Sequence, residues 1–121
     1  MTTLAQKLQV KPGEKVFVVG DATLVGELPE GALQTDDEAT ADVAVYFVES
    51  REQLDARFRS ILPETRVVWL CYRKGEGDVN RTTIMDDSGD HGWRPISNVA
   101  VDDLWSAIRV RPLAEGEARA R

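Results

Sequence analysis

The sequence predicts an α/β fold in which most strands of a single sheet run parallel. Three short apolar runs, at residues 16–19, 43–48 and 67–71, are rich in valine and carry no charge. Unbroken runs of this length are typical of strands that are buried on both faces, as in a parallel sheet. A predicted helix separates the second run from the third, and a strand–helix–strand unit of this kind pairs its two strands in parallel.

The helix between the second and third runs has a predicted beginning and end. Ser50 is the expected N-cap, and Gln53 follows it at the spacing of a capping box. Pro63 is expected to stop the helix. The apolar side chains at helical spacing form one face that should pack against the sheet, and they are Leu54, Phe58, Ile61 and Leu62.

The C-terminal part of the sequence predicts an antiparallel hairpin. Residues 95–101 and 104–110 form two further strands, and little more than Asp102-Asp103 separates them. A mostly parallel sheet with this hairpin is a Rossmann-like arrangement. Residues 1–112 are therefore expected to form one Rossmann-like α/β domain, and residues 113–121, which are rich in Ala, Glu and Arg, a frayed tail.

The remaining segments carry weaker patterns. Thr3 and Gln6 have capping-box spacing for a short first helix, residues 22–28 fit a weak helix, and residues 33–35 a minimal strand. Asp78 is the expected cap of a helix that runs to about Asp87, and residues 88–92 are predicted to form a turn.

Composition and charge exclude several classes of function. The chain has 121 residues, 42% of them hydrophobic and 30% charged, with a net charge of −6. An acidic chain is poorly suited to bind nucleic acid or an anionic membrane surface. No stretch has the apolar length of a membrane span or of a signal peptide, so a cytoplasmic location is expected. The single cysteine, Cys71, lies within an apolar run and is predicted to be an inert core residue.

Several segments resemble a known group of proteins. Lys11-Pro12-Gly13 before the first apolar run resembles the turn that opens class I methyltransferases, and the second and third runs resemble the fourth and fifth strands of that fold. A closer resemblance is to a family of small bacterial domains of unknown function that look like shortened methyltransferases. The residues that show this resemblance are 72–74, 77–81, 92–95 and 101–109. The sequence departs from the family pattern at Arg73, where a proline is usual, and at Thr82, where an acidic residue is usual. The resemblance implies a truncated methyltransferase-like fold and brings no activity with it.

The methyltransferase resemblance also implies a place for S-adenosylmethionine, in a glycine-rich turn after the first strand. The corresponding turn extends from Gly20 to Gly26, and side chains occupy two of the positions where backbone would approach the cofactor. The segment between residues 19 and 43 is also short for a complete helix, strand and helix. We therefore expect no bound cofactor.

A candidate anion site follows the third apolar run. Arg73 and Lys74 come at the carboxyl end of that strand, where ligands bind in open parallel sheets, and Arg81 comes in the first turn of the next helix. The alternative interpretation is that the three are solvated charges. Asp102-Asp103 is predicted to form the hairpin turn rather than a metal site, and His91 to be a surface loop residue.

The tryptophans Trp93 and Trp105 are predicted to be packing anchors. Two functions of different classes remain open. The favoured one is a non-catalytic binding or interaction domain on a degenerate methyltransferase-like scaffold, with a protein partner or a second copy of the chain. The other is an enzyme or receptor that holds a small anionic ligand on Arg73, Lys74 and Arg81.

Overall fold

The computed structural model describes residues 4–20, 22–61, 65–75 and 79–113. Its helices and strands are, in chain order, α1 (Leu4–Lys7), β1 (Lys15–Val19), β2 (Leu33–Gln34), β3 (Val43–Phe47), α2 (Arg51–Ser60), β4 (Val67–Arg73), α3 (Arg81–Asp90), β5 (Trp93–Ala100) and β6 (Trp105–Pro112). Some of the predicted features lie outside the described residues. They are the expected helix caps Thr3 and Asp78, the apolar residue Leu62, the helix stop at Pro63, and residues 114–121 of the predicted tail.

The six strands form one mixed sheet in the order β2-β1-β3-β4-β6-β5. Strand β1 pairs in parallel with β2 on one side and with β3 on the other, and β3 pairs in parallel with β4. Strand β6 lies antiparallel between β4 and β5. The predicted α/β fold, with its mostly parallel sheet and its antiparallel C-terminal hairpin, is therefore confirmed.

The central strands β3 and β4 are buried on both faces, as their apolar runs predicted, whereas β1 is mostly half-buried and only its Val16 is fully buried. Every residue of β3 is buried, because alternate side chains pack into two separate clusters. On one face Trp69 packs among residues of α1 and the neighbouring strands, and its indole Nε1 donates a hydrogen bond to the Leu8 carbonyl over 2.8 Å. On the other face Leu54 of α2 and Ile84 of α3 are fully buried against β3, β4 and β6.

Helix α2 begins where the sequence predicted. The Ser50 Oγ accepts a hydrogen bond from the Gln53 backbone N–H at 3.1 Å, which satisfies one free donor of the first turn. The Gln53 side chain reaches back one residue further than in a standard capping box, since its Oε1 accepts from the Glu49 N–H at 2.9 Å. The helix ends at Ser60, and the N–H of its C-cap, Ile61, bonds to the Arg57 carbonyl.

Helix α3 differs from its prediction at both ends. It begins at Arg81, because Asn80 is the N-cap and its Oδ1 accepts from the Thr83 N–H at 2.9 Å. The predicted turn at residues 88–92 is wrong in its first half, since α3 continues to Asp90. Ser88 stays within the helix because its hydroxyl donates to the Ile84 carbonyl one turn earlier, so that its polar atom is satisfied although fully buried.

The weak elements between β1 and β3 are shorter than predicted. The helix expected at residues 22–28 is a single 3₁₀ helix, Ala22–Val25, and Gly26 follows it with a positive φ of 77°. The minimal strand is present as β2, with Leu33 and Gln34. Within the described ranges, no helix has the length and apolar character needed to cross a membrane.

Candidate functional site

A cavity of about 500 Å³ opens at the carboxyl ends of β1 and β3. The chain leaves β1 toward β2 on one side of the sheet and leaves β3 toward β4 on the other. The boundary between β1 and β3 is therefore the point where the strand order reverses, which is where open α/β sheets bind their ligands. The volume lies within the range of about 300 to 1,000 Å³ that is usual for small-molecule sites.

Aromatic and aliphatic side chains form one part of the cavity. Phe47, at the end of β3, meets Trp105, at the start of β6, edge to face with ring centroids 5.1 Å apart. Trp105 reaches this edge because β6 runs antiparallel to β4, so that its first residues lie beside the last residues of β4. Both side chains are 9% exposed or less, and Leu24 of the 3₁₀ helix lines the same cavity. A planar ring would find an apolar surface here.

The backbone comes close to the cavity at Gly20, directly after β1. Gly20 has a φ of +118°, a conformation that residues with a side chain rarely adopt. A Cβ at this position would lie 2.8 Å from the Phe47 Cβ, well inside van der Waals contact. Glycine is therefore required here both by the backbone conformation and by the neighbouring aromatic residue.

The polar side of the cavity comes from the first turns of α2. Gln53, Ala56 and Arg57 line it, together with Glu49 from the loop before the helix. The Arg57 guanidinium lies 4.6 Å from the centroid of the Tyr46 ring and donates from Nη1 to the Ser60 hydroxyl at 3.4 Å. These contacts hold the cation at the cavity edge. The cavity therefore combines apolar walls with one carboxylate, one amide and one guanidinium.

Tyr46 forms a second polar feature beneath Arg57. Its side chain is fully buried, and burial raises the pKa of its hydroxyl, with the nearby Glu38 carboxylate adding to the rise and Arg57 opposing it. No hydrogen bond of good geometry satisfies the Tyr46 hydroxyl within the described part of the chain. A phenol with a raised pKa stays neutral, so Tyr46 supplies no anion to the site.

The three residues of the predicted anion site are found in different surroundings. The guanidinium of Arg73, the last residue of β4, lies 5.8 Å from the centroid of the Trp105 ring at the start of β6. The Lys74 Nζ donates to the Asp102 carbonyl at 2.8 Å, so Lys74 fastens the hairpin turn to the end of β4. Arg81 lines a second cavity of about 300 Å³, between α3 and β5, whose lining includes neither Arg73 nor Lys74.

The other sequence candidates have structural partners. The Asp102 Oδ1 accepts hydrogen bonds from the Leu104 and Trp105 N–H groups, each at 2.8 Å, as expected of a turn-forming aspartate. His91 lies in the turn after α3, as the sequence predicted, and it is half-buried rather than fully exposed. It is the C-cap of α3, stacks on Phe58, and places its Nε2 2.9 Å from the Asp55 Oδ1.

The thiol of Cys71 is fully buried in the sheet, and burial raises its pKa. The burial confirms the predicted core position of Cys71, and its lack of reactivity stays a prediction. Trp93 and Trp105 are both buried, also as predicted. No group of three or more His, Cys, Asp or Glu side chains that could hold a metal ion occurs among the residues described.

The predicted site residues Arg73 and Lys74 lie at the same edge of the sheet as the cavity, and the sequence prediction did not include the residues that line it. Phe47 and Trp105 were assigned to packing because a buried strand accounts for them. Gln53 was assigned to a capping box, and no role was assigned to Arg57. The sequence did indicate Gly20, as the start of the turn where the resemblance places a cofactor, and a glycine directly after the first buried strand marks the place where backbone and ligand approach each other.

No protein-family model matches the chain, and no curated protein matches it. Among solved structures, it is similar to a protein of the NADB-Rossmann superfamily from Streptococcus agalactiae. The TM-score is 0.54 at 9% sequence identity, and the match covers 93% of this chain and 69% of the other. The fold is Rossmann-like. At this level of identity, the similarity establishes the fold of the chain and does not extend to function.

Proposed function

We propose that this protein is a small-molecule-binding domain, and that its ligand occupies the cavity between the ends of β1 and β3. The observation that carries the proposal is the position of the cavity at the reversal point of the strand order, with Gly20 on its floor. The cavity lies between packed aromatic residues and a capped helix, so it is already formed without a ligand. Few side chains or loops therefore have to become ordered when a ligand binds.

The lining favours a planar, partly polar ligand. Phe47 and Trp105 present ring surfaces, against which an aromatic or heteroaromatic ring can pack. Gln53 provides an amide that can donate and accept, and Arg57 provides guanidinium donors. A ring with hydrogen-bonding edges, such as a nucleobase, matches this combination of surfaces better than a purely aliphatic ligand does.

The resemblance to shortened methyltransferases is consistent with this placement. In that comparison, β1, β3 and β4 correspond to the first, fourth and fifth strands, and the closing hairpin to the sixth and seventh. The turn from Gly20 to Gly26 has glycine at its first position, and Leu24 within it lines the cavity. We infer a methyltransferase-like scaffold whose cofactor turn has changed and whose cavity retains a binding role.

We assign binding rather than catalysis to the cavity. Its lining residues that can carry a charge are Glu49 and Arg57, and the Arg57 guanidinium lies over the Tyr46 ring and donates to the Ser60 hydroxyl. The nearest thiol, Cys71, belongs to the buried sheet. A protein partner or a second copy, the other form of the binding hypothesis, would leave this cavity without an occupant.

A ligand screen with a cavity-filling variant tests the proposal. Adenosine, NAD, S-adenosylmethionine and phosphorylated metabolites are added to the wild-type chain, and the thermal midpoint and tryptophan fluorescence are followed. A ligand at about 100 times its Kd adds about 2.7 kcal/mol of stability, which for a chain of this size raises the midpoint by about 10 °C. Quenching of Trp105 fluorescence should accompany the shift.

Two matched tryptophan substitutions on α2 determine whether a ligand found in this screen binds in the cavity. Ala56→Trp places an indole in the cavity from an exposed position, and Glu52→Trp places one on the same helix outside it. The midpoint shift should vanish in Ala56→Trp and persist in Glu52→Trp, while both variants keep the wild-type circular dichroism spectrum. Equal shifts in all three proteins would mean that the ligand binds elsewhere.

A further inference from the structure

Arg57 differs from the other two arginines of α2, because no carboxylate pairs with it in the described part of the chain. Arg51 pairs with Asp87 at 2.9 Å, and Arg59 pairs with Asp55 at 3.2 Å. The residues three and four positions from Arg57, which share its side of the helix, are Gln53, Leu54, Ser60 and Ile61. These four side chains are uncharged, so the helix itself supplies no counter-ion for Arg57.

The contacts of Arg57 leave most of its hydrogen-bonding groups available. Its guanidinium lies over the Tyr46 ring, 4.6 Å from the centroid, and this electrostatic contact occupies no N–H group. Nη1 donates to the Ser60 hydroxyl at 3.4 Å, which is long for a hydrogen bond of this type. Among the described residues, Nε and Nη2 have no hydrogen-bond acceptor, and the side chain is half-buried. A partly desolvated guanidinium with two parallel donors available can bind a carboxylate through both oxygens.

The two charges that line the cavity lie apart from each other. Glu49 precedes the N-cap Ser50, whereas Arg57 comes seven residues after Ser50, which is about 10 Å of helix. No ion pair joins Glu49 and Arg57 within the described ranges. An anionic group of a bound ligand is therefore attracted to the Arg57 end of the cavity and repelled from the Glu49 end.

The lining matches one negative charge better than two. Of the described residues that line the cavity, Arg57 alone is cationic. The Glu38 carboxylate acts on the Tyr46 hydroxyl beneath Arg57, and it adds negative charge to these surroundings. A phosphate monoester carries about −1.5 to −2 charges at neutral pH, and the second charge would have no cation to offset it. A carboxylate carries one charge, and its two oxygens match the geometry of a guanidinium.

We propose that the ligand of the cavity is a planar ring that carries one carboxylate, and that Arg57 selects for this group. The inference rests on the proposed function, because it names the chemical class of the ligand that occupies the same cavity. The ring packs against Phe47 and Trp105, and the carboxylate accepts two hydrogen bonds from the Arg57 guanidinium, which Tyr46 holds in place. A neutral analogue of the same shape binds at the same place and more weakly.

Competitive capture of matched disulfide fragments by the Ala56→Cys variant tests this inference. Ala56 lines the cavity, and the single native cysteine, Cys71, is buried, so the new thiol is the accessible one. The probes share one aromatic ring and differ only in a carboxylate, a carboxamide or a phosphonate on it. They compete at equal concentration and constant ionic strength under partly reducing conditions, and mass spectrometry measures the captured amounts. The carboxylate should be captured about tenfold more than the carboxamide, because hydrogen bonds to a charged acceptor are stronger, and also more than the phosphonate.

Second substitutions in the same chain assign the preference to Arg57. Adding Arg57→Gln should bring the ratio of carboxylate to carboxamide close to one, and Arg57→Lys should give an intermediate ratio because it keeps the charge and loses the planar fork. Arg59→Gln is the matched control, since it removes an exposed arginine that pairs with Asp55, and it should keep the full ratio. Circular dichroism checks the fold of each variant. If Arg57→Gln does not fold, the comparison of Arg57→Lys with Arg59→Gln decides.

The inference and the proposed function fail in different ways. The inference is overturned if the carboxylate and the carboxamide are captured equally, if the phosphonate is captured best, or if Arg59→Gln lowers the ratio as much as the Arg57 substitutions do. Each of these results leaves the proposed function intact, provided that the aromatic carboxamide is captured in preference to an aliphatic carboxamide of equal size. Loss of that ring preference would overturn the proposed function, because it is measured with neutral probes.

Discussion

Replacement of Gly20 by alanine is the substitution whose cost the structure defines best. Two terms contribute. The φ of +118° is unfavourable for any residue with a Cβ, at about 1–2 kcal/mol. The new methyl group would also lie 2.8 Å from the Phe47 Cβ, and forcing extra atoms into a packed site costs about 1–3 kcal/mol. The two terms together predict a loss of about 2–5 kcal/mol in the free energy of unfolding.

Gly26→Ala provides the matched control for this prediction. Gly26 also has a positive φ, of +77°, and a Cβ there meets no atom within 4 Å. It should therefore show the backbone term alone, about 1–2 kcal/mol. The gain that alanine gives by restricting the unfolded chain is common to both variants and cancels in the comparison. The contact with Phe47 makes Gly20→Ala less stable than Gly26→Ala by about 1–3 kcal/mol, and the φ of +118°, which lies further from the left-handed region than the +77° of Gly26, adds to this difference.

Urea denaturation of the three proteins measures these differences. The m-value should stay constant, so that changes in midpoint report stability alone. The thermal midpoint of Gly20→Ala should lie about 4–12 °C below that of Gly26→Ala. Equal stabilities of the two variants would refute the close approach of Gly20 to Phe47. They would also contradict the structure of the proposed ligand cavity where these two residues line it.

Three further predictions concern the helix cap and the buried titratable groups. Asn80→Ala should lower the free energy of unfolding by about 1 kcal/mol in urea denaturation, because it removes the acceptor for the Thr83 N–H. Cys71 should react with a thiol reagent only after unfolding, since its thiol is buried and its pKa is raised; rapid labelling of the native chain would contradict its burial. The pKa of Tyr46 is also raised, so the unfolded chain loses that proton first, and stability should fall above about pH 10. Tyr46→Phe should reduce this alkaline loss in denaturation experiments above and below that pH.

The sheet could be predicted from the sequence because burial on both faces leaves a local signal. Residues 43–48 are apolar throughout, and all five residues of β3 are buried. The hairpin could be predicted for a similar reason. Its turn depends on Asp102, whose side chain accepts hydrogen bonds from the N–H groups two and three residues later. Features of this kind depend on neighbours in the chain, and one sequence is sufficient to find them.

The candidate site could be predicted only in part because its residues are distant in sequence. Phe47 and Trp105 meet only when β6 inserts beside β4, and no local pattern indicates this insertion. The cap of α3 was misassigned because Asp78 and Asn80 are both good N-caps, and the choice depends on where the helix packs. The contacts of His91 could not be predicted for the same reason, since Asp55 and Phe58 come from another helix.

Capture of fragments by an introduced thiol tests the central claim, that the cavity between β1 and β3 takes a planar ligand. Because Cys71 is buried and is the only native cysteine, Ala56→Cys gives a chain with one accessible thiol at the cavity, and Glu52→Cys gives the same thiol outside it. Both variants are equilibrated with a disulfide fragment library under partly reducing conditions and analysed by mass spectrometry. The account predicts that the Ala56→Cys variant selectively retains aromatic and heteroaromatic fragments, and that filling the cavity by Leu24→Trp in the same chain removes this selectivity. Equal capture by the two variants, with no preference for planar rings, would contradict it.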